Sequence, residues 1–336
     1  MARMSDVTQP LSDVLYEADR RLSSGLSASA SVTPIGFSPL DSYLGGGLRA
    51  GELALLGGPQ GLGKTTMVLQ MIRNVVADGG TALYFSFEHD ATTVLERIIG
   101  IESGARDGVD GVPLRRVRDS MENPEGSATS LLDRMATVPG GAEAVTAVTE
   151  YAHRLHVHQS SGSTTDLAEI RRVIQQVEAS GRHPDLVVVD YLQKVPVLGP
   201  VPSEDERITL VGEGLKDLAL ELSLPILAVV AADREGITEG RRMRLYHMRG
   251  AAALAYEADV VLVLNDKFDV VARHHLIFDV GNAERFRNFA VVSIEKNRTG
   301  LDRIDLEFRK RFAQGRFETE GQPVNEQLVD ERVFVD

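Results

Sequence analysis

The sequence predicts an α/β fold: a mostly parallel β-sheet with helices on both faces and antiparallel edge strands toward the C-terminus. Three observations predict it. Apolar runs too continuous for half-exposed strands recur at residues 52–56, 82–87, 154–158, 186–190, 226–231 and 260–264, as expected where both faces of a sheet are covered. Helix-spaced stretches, 166–179 and 208–222 among them, separate most of these runs, the alternation that parallel crossovers require. The first run leads into a glycine-rich loop and a helix at 65–76.

Taken in order, residues 1–9 are expected to be disordered. Residues 10–34 comprise a helix and a linker. Leu11, Val14, Leu15, Ala18 and Leu22 recur at helical spacing, with Ser12 or Asp13 available as a cap. The small polar stretch after Ser24 reads as the linker. Such a helix either folds back on its own domain or docks on a neighbouring subunit. The α/β domain spans 35–317, with a polar, Gly/Pro-containing surface insertion at 118–150. Residues 290–295 and 303–308 read as the antiparallel edge strands, and 318–336 as an acidic, flexible tail. No internal repeat is present.

Composition narrows the function classes. The chain has 336 residues with 43% hydrophobic and 25% charged, enough to bury a sizeable core. It lacks cysteine, which excludes disulfides, thiolate metal sites and cysteine nucleophiles. No apolar run approaches the ~20 residues that span a bilayer, and MARMSDVTQP lacks a secretory signal. A cytoplasmic location and no membrane association are expected. A net charge of −13 argues against coating nucleic acid non-specifically, although a local basic channel is compatible with it.

The chemistry centres on Gly58-Pro59-Gln60-Gly61-Leu62-Gly63-Lys64-Thr65, followed by Thr66, which matches G-x-x-x-x-G-K-[ST] at every fixed position. Glycines allow backbone amides to approach phosphate oxygens without a Cβ clash. The following helix adds its positive dipole end. Lys64 is placed for the β- and γ-phosphates of ATP, and the Thr65 hydroxyl for a Mg2+ ion. Asp190 closes the apolar run Leu186-Val187-Val188-Val189, the arrangement that holds the same metal through water. Glu88 follows the 82–87 strand and is either a solvated carboxylate or the group that orients the attacking water.

These residues sit within longer stretches: Ile35-Gly36-Phe37-Ser38-Pro39-Leu40-Asp41, Gly45-Gly46-Gly47-Leu48, Gly51-Glu52-Leu53, Phe85-Ser86-Phe87-Glu88, Asp190-Tyr191-Leu192-Gln193 and Lys296-Asn297-Arg298-Thr299-Gly300. Together they resemble the RecA-like ATPase domain of DnaB-type replicative helicases, with a RecA-like P-loop NTPase core. The front half is also similar to RadA and the KaiC group. The resemblance implies that Glu88 is the catalytic glutamate. It further implies that Lys296 and Arg298 reach into the next subunit's site, Arg298 as an arginine finger, within a homo-oligomeric hexameric ring or a filament. The 10–24 helix matches the family's linker helix, which docks on the adjacent subunit.

Three departures accompany the resemblance. No N-terminal collar domain is expected in this chain. Val230 and Ala231 stand where the family has a Ser-Gln pair whose Gln senses the γ-phosphate. Arg249-Gly250-Ala251-Ala252 stands where the family's DNA loop has Arg-Glu-Ser-Gly. Arg249 remains the DNA-contact candidate. Arg234, Arg241, Arg242, Arg244 and Arg249 either line a channel or form a solvated basic loop. Only Tyr246 interleaves with them, which is poor material for base stacking. The leading expectation is an ATP-hydrolysing motor on single-stranded DNA. The alternatives are an ATPase switch acting on an unknown protein partner and a slowly hydrolysing nucleotide-binding scaffold.

Overall fold

A computed structural model describes residues 8–105, 111–122, 126, 128–236, 241–277 and 280–331. Its strands are β1 (Val32–Thr33), β2 (Leu48–Arg49), β3 (Leu53–Gly58), β4 (Ala82–Ser86), β5 (Leu155–Gln159), β6 (Leu186–Asp190), β7 (Ile226–Ala231), β8 (Val260–Asp266), β9 (Phe289–Asn297), β10 (Ile304–Arg311), β11 (Arg316–Phe317) and β12 (Gln322–Pro323). The helices begin with α1 (Leu11–Ser23), α2 (Leu40–Tyr43), α3 (Lys64–Ala77), α4 (Ala91–Ala105), α5 (Leu114–Met121), α6 (Leu131–Met135) and α7 (Gly141–Tyr151). They continue with α8 (Leu167–Ala179), α9 (Glu204–Leu222), α10 (Ala251–Glu257) and short helices between Lys267 and Arg287.

Six strands run parallel in the order β5-β4-β6-β7-β3-β8. Strand β9 adds antiparallel to β8 and β10 to β9, and β10 carries β11 and β12. Side-chain alternation explains why these strands read as unbroken apolar runs. Ala54, Leu56, Tyr84 and Val188 enter one core with α3 and α4, while Leu53, Leu55, Phe85 and Val189 enter the other with α8 and α9. Each buried Leu or Val contributes roughly 1.5–3 kcal/mol. The chain leaves β3 for β4 on one side of the sheet and returns to β8 on the other. The carboxyl ends of β3, β7, β6 and β4 therefore border the topological switch point, where open α/β sheets bind ligands.

Three stretches differ from expectation. The 118–150 insertion is not a mere surface excursion: α5, α6 and α7 dock on α4, and Met135, Ala144 and Val148 join its core. Its composition misled because each short helix buries only one stripe. Residues 123–125 and 127 lie outside the described residues. The acidic segment from Glu318 is laid along the body rather than hanging as a flexible tail. Gly321 N donates to Ser38 O at 2.6 Å and Val329 N to Val270 O at 2.8 Å. Buried Lys267 pairs with Glu307 and, at 2.7 Å, with Glu326, so the acidic composition meets a buried cation. Residues 332–336, like 1–7, lie outside the described residues.

Helix α1 forms but does not fold back on the domain. Leu11 is 81% and Leu15 71% exposed, and no α1 residue is buried. Pro10 occupies its N-cap without a side-chain cap, in place of Ser12 or Asp13, because proline's fixed φ suits the helix entrance. Among the described residues no helix is long and apolar enough to cross a membrane.

Candidate nucleotide site

The phosphate loop joins the buried end of β3 to α3. Gly61 and Gly63 have φ of 81° and 89°, a region that penalises any side chain. A Cβ on Gly63 would also meet Phe312 at 3.0 Å. No side chain caps α3, so its first amides remain available to an anion. Lys64 Nζ donates to the loop carbonyls of Gly58 and Pro59, at 2.8 and 2.9 Å. Burial lowers the Lys64 ammonium from its ordinary value, against the pull of Asp190 and Glu88.

Lys64 and Thr65 share a cleft of about 670 Å³ with Glu88, Asp190, Gln193 and Arg249. Asp190, 2% exposed, accepts from Tyr84 Oη at 3.0 Å and from the Thr65 hydroxyl. Burial raises its carboxyl above the usual range, partly offset by those two donors. It has no ion-pair partner among the described residues. A desolvated carboxylate beside a hydroxyl, open to a cleft, fits a hard divalent cation. No group of three acidic or histidine side chains surrounds it among the described residues. That suits Mg2+, which keeps waters and substrate oxygens as ligands. Glu88 projects beyond β4, exposed at the cleft, and the Ser86 hydroxyl holds the turn by bonding His89 N and O at 3.0 and 2.6 Å.

Lys296 and Arg298 are elsewhere. Strand β9 runs antiparallel to β8, so Lys296 pairs with Val261 and Asn297 with Val260, which is level with Ala54. The step from Ala54 to Gly58 is roughly 13 Å along the strand. Both cations thus lie toward the opposite end of the sheet from their own phosphate loop. Lys296 Nζ donates to Ala255 O and Ala258 O at 2.7 and 2.5 Å, around the C-terminus of α10. Arg298 bonds Tyr256 O and pairs with Asp259 at 3.2 Å. Burial and neighbouring Arg298 lower the Lys296 ammonium.

The expected basic channel is not what its arginines form. Arg242 is buried against Asp305 and Ser293, and Arg244 pairs with Glu295 at 2.9 Å and Asp330 at 2.7 Å. Arg241 meets Glu235 at 3.0 Å. Their carboxylate partners lie mostly in distant segments, which a local reading of charge cannot reveal. Arg249 stands apart, lining the nucleotide cleft and pairing with Glu204 at 3.1 Å.

Known proteins share this arrangement. Residues 33–318 match the model of the DnaB-like helicase C terminal domain. The chain belongs to that family. It is 26% identical over 282 residues to the replicative DNA helicase DnaB of Treponema pallidum, covering 83% of this chain and 54% of the relative. The chain therefore spans about half the length of the DnaB relatives it matches. The DNA repair protein RadA of Aquifex aeolicus is 29% identical over 167 residues, 49% of this chain and 34% of RadA. Among solved structures, an isolated helicase-type ATPase domain superposes with a TM-score of 0.71 at 17% identity, covering 93% of this chain and 99% of that one. A DnaB-like replicative helicase, described with its interactions with primase, gives 0.68 at 16% identity, over 93% and 67%. The RecA-like core with its antiparallel flank is the DnaB-type fold.

Sequence reading missed three cleft residues in this DnaB-family domain. Tyr84 lies diagonal to Asp190 on the same sheet face, a position given by the pairing of Ser86 with Asp190. A tyrosine two residues before the end of an apolar strand was the available signal. Gln193 is buried, accepts from Ala231 N at 3.1 Å and donates to Arg249 O at 3.3 Å. Glu204 carried no sequence signal, because only folding brings the start of α9 to the cleft.

Proposed function

We propose that this chain is the ATP-hydrolysing motor domain of a DnaB-like helicase, acting as a ring on single-stranded DNA. The observation that carries this reading is the convergence of Lys64, Thr65, Glu88 and Asp190 on one cleft while Lys296 and Arg298 face away from it. In the proposed reaction, Lys64 exchanges the Gly58 and Pro59 carbonyls for β- and γ-phosphate oxygens. Thr65 and, through water, Asp190 hold Mg2+, which neutralises charge between those phosphates. Glu88 orients a water in line with the bond to the leaving oxygen. The water oxygen bonds to phosphorus as ADP departs. Arg298 of the next subunit stabilises charge on the transferring group, with Lys296 beside it. Helix α1, whose apolar stripe is uncovered, supplies a docking element between subunits.

Because Arg241, Arg242 and Arg244 are neutralised within the chain, the backbone amides of residues 250–253 are the remaining strand-facing candidates. The test is ATPase rate with and without single-stranded DNA across a salt series, with mass determination in ATP. Stimulation by DNA that declines with salt, in a hexamer-sized species, supports the motor. ATP turnover with no response to DNA at low salt would assign the chain instead to nucleotide-driven switching of a protein partner.

A further inference from the structure

Strand β7 ends in Val230 and Ala231, which carry no polar side chain toward the cleft, and Ala231 pairs with Gly58 at the start of the phosphate loop. Arg249 is tied to that strand tip. Its N–H donates to Ala231 O at 3.0 Å, and its carbonyl accepts from Gln193, which also receives the Ala231 N–H. The next residue, Gly250, has a φ of 81°, and a Cβ there would meet Ile208 of α9 at 2.4 Å. The backbone of Arg249 is therefore fixed one strand away from the loop, and its side chain lines the cleft. The guanidinium has one carboxylate partner, Glu204, and the two side chains are 43% and 51% exposed. An ion pair so exposed contributes little, whereas guanidinium and phosphate form short, bidentate, charge-assisted bonds.

We infer that Arg249 reads the terminal phosphate of a nucleoside triphosphate bound in its own subunit, exchanging Glu204 for that phosphate. The inference rests on the proposed nucleotide site and adds a residue to it. It also moves Arg249 from the strand to the nucleotide. Arg249 directly precedes α10, whose C-terminal carbonyls hold Lys296 and Arg298. The exchange would thus be felt at the cations meant for the next subunit.

The experiment measures the affinity of Mg2+-ADP and of the non-hydrolysable triphosphate AMP-PNP for the wild-type chain, Arg249→Ala and Glu204→Gln. Arg249→Ala should weaken AMP-PNP about tenfold or more, a loss of one charge-assisted contact, and leave ADP within about twofold. Retained ADP binding also shows that the variant is folded. Glu204→Gln frees the arginine and should raise the preference for AMP-PNP over ADP by about threefold. An unchanged preference in Arg249→Ala, or equal losses for both nucleotides, overturns the inference. A Glu204→Gln preference that is unchanged or lower does so too, even if Arg249→Ala fails to fold. A loss confined to single-stranded DNA binding would return Arg249 to the strand. Failure of the wild-type chain to bind either nucleotide would instead refute the proposed site.

Discussion

The two ends of the central sheet handle charge in opposite ways. At the carboxyl end of β6, Asp190 is buried with two hydroxyl donors and no cation of its own among the described residues. At the other end, Asp259 is also buried but saturated. It accepts from Leu53 N at 2.8 Å, meets Lys216 at 2.7 Å and pairs with Arg298 at 3.2 Å. The cations differ in the same sense. Lys64 rests on two loop carbonyls facing an open cleft, whereas Lys296 and Arg298 are tied to the end of α10. One end is built to receive charge from outside the chain, and the other stores charge for delivery. On the proposed reading, a single subunit carries two half-sites rather than one complete one.

The largest expected effect breaks the storing end. Arg298→Ala should lower ATP turnover about a thousandfold or more while ATP binding, measured with a fluorescent analogue, stays intact. Near-normal turnover would mean that the cation works on no neighbour's phosphate. The next effect concerns stability. Asp259→Asn removes the negative charge that Lys216 and Arg298 share and should destabilise the fold by about 1.5–3 kcal/mol, measured by denaturant unfolding.

Asp190→Asn should have the opposite sign. Its folded carboxyl is raised above the unfolded value by burial, so the folded state holds that proton more tightly. The stability it contributes is present at low pH and is lost as pH rises through the folded value. At neutral pH, Asn should therefore raise the melting temperature of the nucleotide-free protein by roughly 2 °C while abolishing Mg2+-dependent hydrolysis. The gain should vanish in acid. Equal signs for the Asp190 and Asp259 variants at neutral pH would erase the contrast between the two ends.

How much of this was legible in the sequence depended on range. The sheet was legible because strands buried on both faces carry their pattern locally, as Leu186–Asp190 does. The phosphate loop was legible for the same reason: its fixed spacing is a local geometric demand. Pairings over long sequence separations were not. The neutralisation of Arg242 by Asp305 and Arg244 by Glu295 joins residues more than 50 positions apart. The docking of α5–α7 escaped because each short helix offers only a few buried residues to a shared core. The segment after Glu318 was read as solvated because its partner Lys267 sits far upstream in sequence. Lys296 and Arg298 were recognised by motif, but only the register of β9 against β8 shows how far they stand from their own loop.

The claim that two half-sites meet between subunits has one direct measurement. Glu88→Gln and Arg298→Ala are each expected to be inactive alone, and they are to be mixed in equal amounts under conditions that allow subunit exchange. If Glu88 acts in its own subunit and Arg298 in the next, random mixing makes about one quarter of interfaces complete. ATPase activity should then return toward about that fraction of wild type. A mixture as inactive as either variant, with exchange verified by mass, would contradict the composite site.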